Sequence, residues 1–503
     1  MTTDGVLTNS DELQAGIDEA FVQGVIEGVA MPATLIETQL NRVFLCHDRA
    51  YKLKRAVRLP FVDFRSLDQR RKACEAEFDI NRALGSPFYL QVTPLRRNRH
   101  GFTLSGDGDV VDCVVVMRRF ETGARLDELA ERGALDVETT EATGAMIAQM
   151  HCSALPNYLL GHASDYRQVI RTLRRTEEMA AAADDLSVAS DDLYTRLDAE
   201  LARLDPLIEE RREAGKVRRV HGDLHLGNLC VHDGVPVAFD ALEFDDRLAT
   251  SDVLYDVAFL LMDLESRGMK RHANAAMNRY WDDARESECG LALLPFFMAL
   301  RAAVRMVVAV QAHALSDAKR YRELAMSLLK HQKPVAVAIG GLSGSGKSSL
   351  AKAIGPFLPG PAGARILRSD VLRKRAAGIE LTKAADECWY NKYRRAEIYR
   401  DLVAKAALAR RVGTSVVADA TFQLADARET LDFGLPNCCK IWLEAPLDMR
   451  LARVSARRGD ASDADAAVVA RQHVPDRPGA DWRRMDGGLP IAQLVDRLLE
   501  DLQ

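Results

Sequence analysis

"VRRVHGDLHLGNLCVHDGVPVAFDALEFDD", Val217 to Asp246, sets an aspartate (Asp223), an asparagine (Asn228) and a second aspartate (Asp240) along one short stretch. Asp223 and Asn228 stand five residues apart, and the run "VPVAFD" reads as a strand that delivers Asp240 at its end. Two carboxylates and an amide are hard oxygen donors, suited to a magnesium ion on phosphate oxygens. One of the carboxylates, Asp223, can also take the proton of an attacking hydroxyl.

A second phosphate device follows more than a hundred residues later. Gly341-x-x-x-x-Gly346-Lys347-Ser348 has the full spacing of a phosphate-binding loop, and it follows an apolar strand pattern and precedes a helical one. Glycines at 341, 344 and 346 let backbone N–H groups turn inward around phosphate oxygens. Lys347 reaches the β/γ phosphates, and Ser348, with Ser349 beside it, sits where a helix N-terminus meets the anion and its Mg²⁺. Beyond the loop, Asp370 ends a strand with Arg373 one helical turn later, a carboxylate to orient an acceptor hydroxyl and a cation to grip an anion. Asp419 ends a third strand as a candidate Mg²⁺ ligand. Arg453 and Arg457, with Arg458, stand at helical spacing before a polar loop, where a lid would carry them onto a transferring phosphoryl group.

The rest of the chain frames these two devices. Its 503 residues exceed one hydrophobic core, and 48% apolar with 28% charged residues is an ordinary globular balance. No run reaches the roughly 18 apolar residues of a membrane span, and the first thirty residues are acidic where a secretory leader is basic. Nine scattered cysteines without a Cys-x-x-Cys pair point to neither disulfides nor zinc, so a cytoplasmic protein is expected. A formal charge of −5 argues against a protein that coats nucleic acid. Short alternations near residues 35–65 and at 110–117 read as a small sheet, and alanine-rich periodic stretches over 126–215 and 252–330 read as helices. At Pro334 the pattern changes to alternating strands and helices, the mark of a parallel sheet. The expected domains are therefore residues 1–331 and 335–503.

His221-Gly-Asp223-x-His-x-x-Asn228, followed by Asp240 and by "YDVA" at Tyr255 to Ala258, resembles the aminoglycoside phosphotransferase and choline-kinase-like family over about residues 35–330. The resemblance implies a protein-kinase-like α+β fold, with Asp223 as catalytic base and Asn228 and Asp240 on metal. It also implies an upstream lysine paired with a helix glutamate. Lys52 and Lys54 lie on one face of a strand and either fits; Glu77 is the first choice of partner and Glu75 the second. "DCVVVMRRF" reads as the strand leading to a hinge near Met117 to Phe120 that borders adenine. His221 and His225 are expected to hold the loop, and Asp256 to brace it. Residues 335–503 resemble the small P-loop kinases related to gluconate kinase, polynucleotide kinase and zeta toxins, an α/β parallel-sheet fold.

Together the readings describe an α/β multidomain enzyme: a bifunctional ATP- and Mg²⁺-dependent kinase acting on hydroxyls of small molecules. Two alternatives stay open on sequence alone, one site serving as a nucleotide sensor, or action on nucleic-acid or protein ends. One further feature bears on the acceptor. Residues 368–411 hold twelve Lys/Arg against six Asp/Glu, a local excess that reads either as a pocket for an anionic acceptor or as a solvated basic face.

Overall fold

The N-terminal alternations form an antiparallel sheet in the computed structural model, which describes residues 9–29, 32–59, 62–184, 190–243, 245–456, 461–472, 479 and 481–502. Strands β1 (Thr34–Glu37), β2 (Asn41–Cys46), β3 (Arg49–Lys54), β4 (Tyr89–Asn98), β5 (Gly101–Thr103) and β6 (Asp109–Arg118) pair in the order β1-β2-β3-β6-β4-β5. Because side chains alternate across a strand, Tyr51 and Leu53 of β3 face one side with Phe44, while Ala50 faces the other. The first side packs on Ile17 and Phe21 of the helix Asn9–Gln23, with Phe21 stacked on Phe44 at 4.3 Å. Each such side chain, fully buried, contributes about 1.5–3 kcal/mol.

The helix Leu67–Ala83 covers the opposite side. Ser66 and Gln69 form a capping box at its start, satisfying two backbone N–H groups that the first turn leaves without partners. Its buried residues Arg70, Ala73, Cys74, Glu77 and Asn81 recur every three or four positions, one face of a helix. That face carries charge because each charge meets its opposite: Arg70 Nε lies 2.9 Å from Asp112 Oδ1. Glu75 points outward to Arg71 at 3.3 Å, so the inner face presents Glu77. The stretch that opened the sequence forms the hairpin Leu229–His232 and Val235–Ala238, after a short 3₁₀ turn at Leu226–Asn228.

Two compact units divide the chain. One comprises Met1–Leu135, Met150–Asp165 and Ile208–Val257; the other comprises Asp136–Gln149, Tyr166–Leu207 and Ala258–Gln503. In the second unit, helices that precede residue 331 pack together with the P-loop sheet. Helices Val137–Ser153 and Lys270–Ala284 cross closely at Gly144, where a Cβ would stand 2.5 Å from the Ala276 carbonyl oxygen. One helical stretch among the described residues, Glu288–Gln311, is long and apolar enough to cross a bilayer; 78% of its most apolar window is buried inside the fold.

The P-loop sheet has five parallel strands, β7 (Ala336–Gly340), β8 (Arg365–Arg368), β9 (Val416–Asp419), β10 (Cys439–Glu444) and β11 (Arg483–Asp486), in the order β8-β9-β7-β10-β11. Helices on its faces bury β7 and β9 throughout, which is why β7 reads as an apolar run and β9 as one that closes on Asp419. Strand β11 adds an edge that pattern alone does not show, since only Met485 of its four residues is buried.

Candidate functional site

In the first unit, strand period and helix period meet at Glu77. Lys52 Nζ lies 2.7 Å from Glu77 Oε1 and Lys54 Nζ lies 2.7 Å from Oε2, so one buried carboxylate serves both ammonium groups. Beyond Glu77 the lysines part: Lys52 reaches Asp240 Oδ1 at 2.5 Å, and Lys54 pairs with Glu243. Burial opposes charge on both lysines, yet the carboxylates prevail, Asp240 foremost for Lys52 and Glu243 for Lys54, and raise both above the usual range. Burial likewise penalises the Glu77 carboxylate, but the two ammonium groups outweigh it and hold the group well below its ordinary value. For Glu243 burial wins and the carboxyl is pushed up.

Asp240 occupies the left-handed region at φ +62°, and its backbone is fixed from outside the hairpin. Its N–H donates to the Tyr89 hydroxyl at 3.1 Å, which lies 3.4 Å from Glu77 Oε1. The next N–H, of Ala241, donates to Asn81 Oδ1 at 3.0 Å, and Asn81 Nδ2 donates to the Glu77 carbonyl at 2.8 Å. One residue, Glu77, thus ties the strand, the helix and the hairpin together.

The loop before the hairpin is held by a buried carboxylate. Asp256 accepts the N–H of His221 at 3.2 Å and of Gly222 at 2.8 Å, and His151 Nε2 stands 3.1 Å from it. His221 Nε2 meets the Phe239 carbonyl at 2.9 Å, so that nitrogen carries the proton, and Nδ1 faces the Asp223 N–H at 3.4 Å. Burial keeps the ring neutral by pushing its pKa down. Asp223 itself stays partly exposed. Asn228 Nδ2 donates to Asp223 Oδ2 at 3.0 Å and to its carbonyl at 2.9 Å, and His225 Nε2 lies 3.5 Å from Oδ2. The segment Met117 to Phe120 adjoins an aromatic cluster in which Phe120 packs on Phe239 at 4.9 Å.

In the second unit the phosphate loop follows β7. Gly341 and Gly344 adopt φ of +141° and +82°, and a Cβ would stand 2.4 Å from the Leu443 oxygen at the first and 2.6 Å from the Arg450 oxygen at the second. Only glycine fits both positions. Lys347 opens the helix Lys347–Ile354, and its Nζ donates to the Leu342 carbonyl at 3.0 Å, across the loop. Ser348 Oγ donates to Asp419 Oδ2 at 2.6 Å, and Arg368 Nε lies 3.5 Å from the same oxygen. Burial pushes the Asp419 carboxyl up, against the pull of Arg368 and Lys347. Ser349 is exposed on the cleft wall.

A cleft of about 1900 Å³ joins the loop to Asp370, Arg373, Asp419 and Arg453. Asp370 sits in the first turn of the helix Ser369–Ala377 and accepts from Arg373 Nη1 at 2.5 Å, while the guanidinium lies 4.6 Å from the Tyr390 ring centroid. Arg453 stands on the helix Leu447–Ala456 and donates to the carbonyls of Ser345 at 3.2 Å and Gly487 at 2.9 Å. The sequence pattern assigned it to a lid; here its guanidinium is bonded to the phosphate loop and lines the cleft. Arg457 lies outside the described residues.

The basic excess of residues 368–411 meets carboxylates from elsewhere in the chain. Arg368 faces Asp419, Lys374 pairs with Asp463 at 2.7 Å, Arg375 pairs with Asp283, and Lys405 lies 3.8 Å from Glu288. Much of the local charge is neutralised by partners distant in sequence. Glu243, Tyr89 and Asn81 in the first unit and Asp463 in the second are site-building residues that sequence reasoning missed; only the placement of Glu243 three residues after Asp240 offered a signal.

Comparison with known proteins finds two matched segments along the chain. Residues 39–289 match the phosphotransferase enzyme family, and residues 337–474 match an AAA domain. An uncharacterized protein of Mycobacterium tuberculosis (strain ATCC 25618 / H37Rv) is 29% identical over 473 residues, spanning 89% of this chain and 90% of its own. Among solved structures, amicoumacin kinase in complex with AMP-PNP, Ca²⁺ and Ami aligns with a TM-score of 0.40 and 16% identity, over 63% of this chain and 94% of that one. A gluconokinase from Sinorhizobium meliloti 1021 aligns with a TM-score of 0.25 and 21% identity, over 34% and 97%. Residues 39–289 are a phosphotransferase-family domain, residues 337–474 are a P-loop AAA domain, and the chain they build is an ATP-dependent kinase.

Proposed function

We propose that the chain is a bifunctional phosphotransferase, in which each of two sites passes the γ-phosphoryl group of Mg-ATP to a hydroxyl of a small molecule. The observation that carries this reading is the presence of two separate constellations, each with a lysine, oxygen donors and a carboxylate. The first is Lys52, Asn228 with Asp240, and Asp223; the second is Lys347, Ser348 with Asp419, and Asp370. All the proposed metal donors are oxygens, which fits a small hard cation such as Mg²⁺. When bound, that ion neutralises charge on the β and γ oxygens during transfer.

The chain's own residues supply the rest. Asp223 and Asp370 each accept the proton of the acceptor hydroxyl as its oxygen attacks phosphorus. Lys52 and Lys347 hold phosphate oxygens, and Arg373 grips the acceptor. Much of the rate comes from holding the two reactants in line. Residues 1–331 and 335–503 are proposed as the two catalytic modules. The test is incubation of the purified protein with Mg-ATP and a panel of hydroxylated metabolites, read by mass spectrometry for gain of one phosphoryl group. Products that vanish in Asp223→Asn and others that vanish in Lys347→Ala are expected; a single product set lost in both variants, or no product, overturns the bifunctional reading.

The two lysines on β3 divide between catalysis and stability. Lys52, which reaches the partly exposed Asp240, is proposed as the phosphate lysine, and Lys54, sealed between Glu77 and Glu243, as the structural one. Lys54→Met leaves buried Glu243 without its cation and Glu77 with Lys52 alone, and is expected to cost about 3–5 kcal/mol in a urea melt. Lys52→Met is expected to unfold at a midpoint nearer the parent, with the larger loss in kcat/KM for Mg-ATP. The reverse pattern would exchange the two roles.

A further inference from the structure

Strand β8 is the outer edge of the P-loop sheet, and a buried edge needs partners for its outward N–H and C=O groups. Arg365 N–H pairs inward with the Ser415 carbonyl at 2.9 Å, so the outward groups on either side of it are the Ile366 N–H and the Ala364 C=O. A strand does not meet them; the side chain of Asn278, on the helix Lys270–Ala284, does. Its Oδ1 accepts from Ile366 N–H at 2.7 Å and its Nδ2 donates to the Ala364 carbonyl at 3.0 Å. One primary amide thus reproduces the two hydrogen bonds of a neighbouring peptide.

Asn274, one turn earlier, extends the pairing by donating to the Ala362 carbonyl at 2.7 Å and to Ala364 at 2.9 Å. The chain is shaped to admit it: a Cβ on Gly355 or on Gly363 would stand 3.0 Å from its amide atoms. The same helix then takes hold of charge. Arg365, 3% exposed, donates to Asn278 Oδ1 at 3.1 Å and to Asp282 at 2.6 Å, with Glu288 just beyond the helix at 3.4 Å. Asp283 pairs with Arg375, which lies in the last turn of the helix Ser369–Ala377. Strand β8 runs directly into that helix, whose first turn bears Asp370 and Arg373.

We propose that the helix Lys270–Ala284, part of the segment matched by the phosphotransferase family, is a positioning element for the P-loop site. Asn278 and Asn274 fix β8, and Asp283 fixes the far end of the following helix, so that Asp370 and Arg373 are held at the acceptor side of the cleft. The proposal rests on the reading of Asp370 and Arg373 as the acceptor-side residues of a phosphoryl-transfer site. Asn274 and Asn278 lie off the cleft lining and Asp283 stands on it; the role assigned to all three is to act through Asp370 and Arg373.

The experiment uses the full chain. Mg-ATP turnover that disappears in Lys347→Ala is assigned to the P-loop site, a control that tests the reading of that site without involving the helix. In that turnover Asn278→Ala is expected to lower kcat about tenfold or more, since small misplacements are costly, while KM for Mg-ATP moves by less than about twofold. The split arises because the phosphate loop follows β7, not β8. Asp283→Asn is expected to lower kcat and Asp283→Glu to restore it. Should Asn278→Ala fail to fold, the Asp283 pair at the partly exposed rim gives the same decision. Unchanged kcat in the folded variants overturns the proposal, as does parallel loss of kcat, Mg-ATP binding and Tm. If Lys347→Ala leaves all turnover in place, amide hydrogen exchange over residues 364–377 decides: faster exchange confined to that stretch in Asn278→Ala supports positioning, and parent-like exchange overturns it.

Discussion

Asp223→Asn is expected to lower turnover at the first site by about 10²–10⁴-fold while the affinity for Mg-ATP stays near that of the parent. The substitution keeps the shape of the side chain and removes its capacity to take a proton. The surroundings are built to survive it: the loop is held by Asp256 through the N–H groups of His221 and Gly222, and neither bond involves the Asp223 side chain. Asn228 Nδ2, which donates to Asp223 Oδ2, can donate to the amide oxygen of the replacement. Lys52 and Asp240 are untouched. Single-turnover kinetics with an acceptor found in the metabolite panel, beside fluorescence titration with Mg-ATP, separates the chemical step from binding. Weakened nucleotide binding of the same size would assign Asp223 to the metal instead, and loss of P-loop products as well would replace two independent sites by an obligately coupled pair.

Lys347→Ala is expected to cost the second site about 10²–10³-fold in turnover, the scale of removing one preorganised donor from developing phosphoryl charge. It is also expected to abolish one of two nucleotide-binding events in calorimetry. The fold should tolerate the change. Lys347 stands in the first turn of its helix, its Nζ bonded to the Leu342 carbonyl, and the turns at Gly341 and Gly344 depend on backbone conformation and not on the ammonium group. A parent-like Tm with one nucleotide site missing is the anticipated pair of results. Retention of both binding events would show that the loop's N–H groups suffice without the lysine, and loss of both would show that the sites communicate.

What could be read in the sequence was what is local in the chain. The phosphate loop is one continuous run, Gly341 to Ser349, of glycines and serines with Leu342 and Lys347, and Asp223, Asn228 and Asp240 lie within one loop and hairpin, so spacing alone locates them. The sheet-and-helix alternation after Pro334 is likewise local, because doubly covered strands must be apolar. The choice between Lys52 and Lys54 could not be made because both bind Glu77; what distinguishes them is Asp240 and Glu243, nearly two hundred residues away. Glu77 over Glu75 follows from which face of one helix is turned inward, a property of packing. Asn274 and Asn278 lie in a stretch read only as helical, and nothing in their vicinity in the sequence announces a buried strand edge. The charge of residues 368–411 could not be weighed for the same reason: carboxylates that neutralise part of it, Asp283, Asp419 and Asp463 among them, are supplied by other elements.

The amide pairing on β8 also bears on how such a chain can be cut or recombined. A fragment beginning at residue 335 would keep every strand of the P-loop sheet and lose the helix that closes its edge. The Ile366 N–H and Ala364 C=O would then stand open beside an unpaired Arg365, a template for strand addition by a second copy. Concentration-dependent self-association is the expected behaviour of that fragment in analytical ultracentrifugation, and a graft of this module onto another protein would have to carry residues 270–288 with it to remain monomeric.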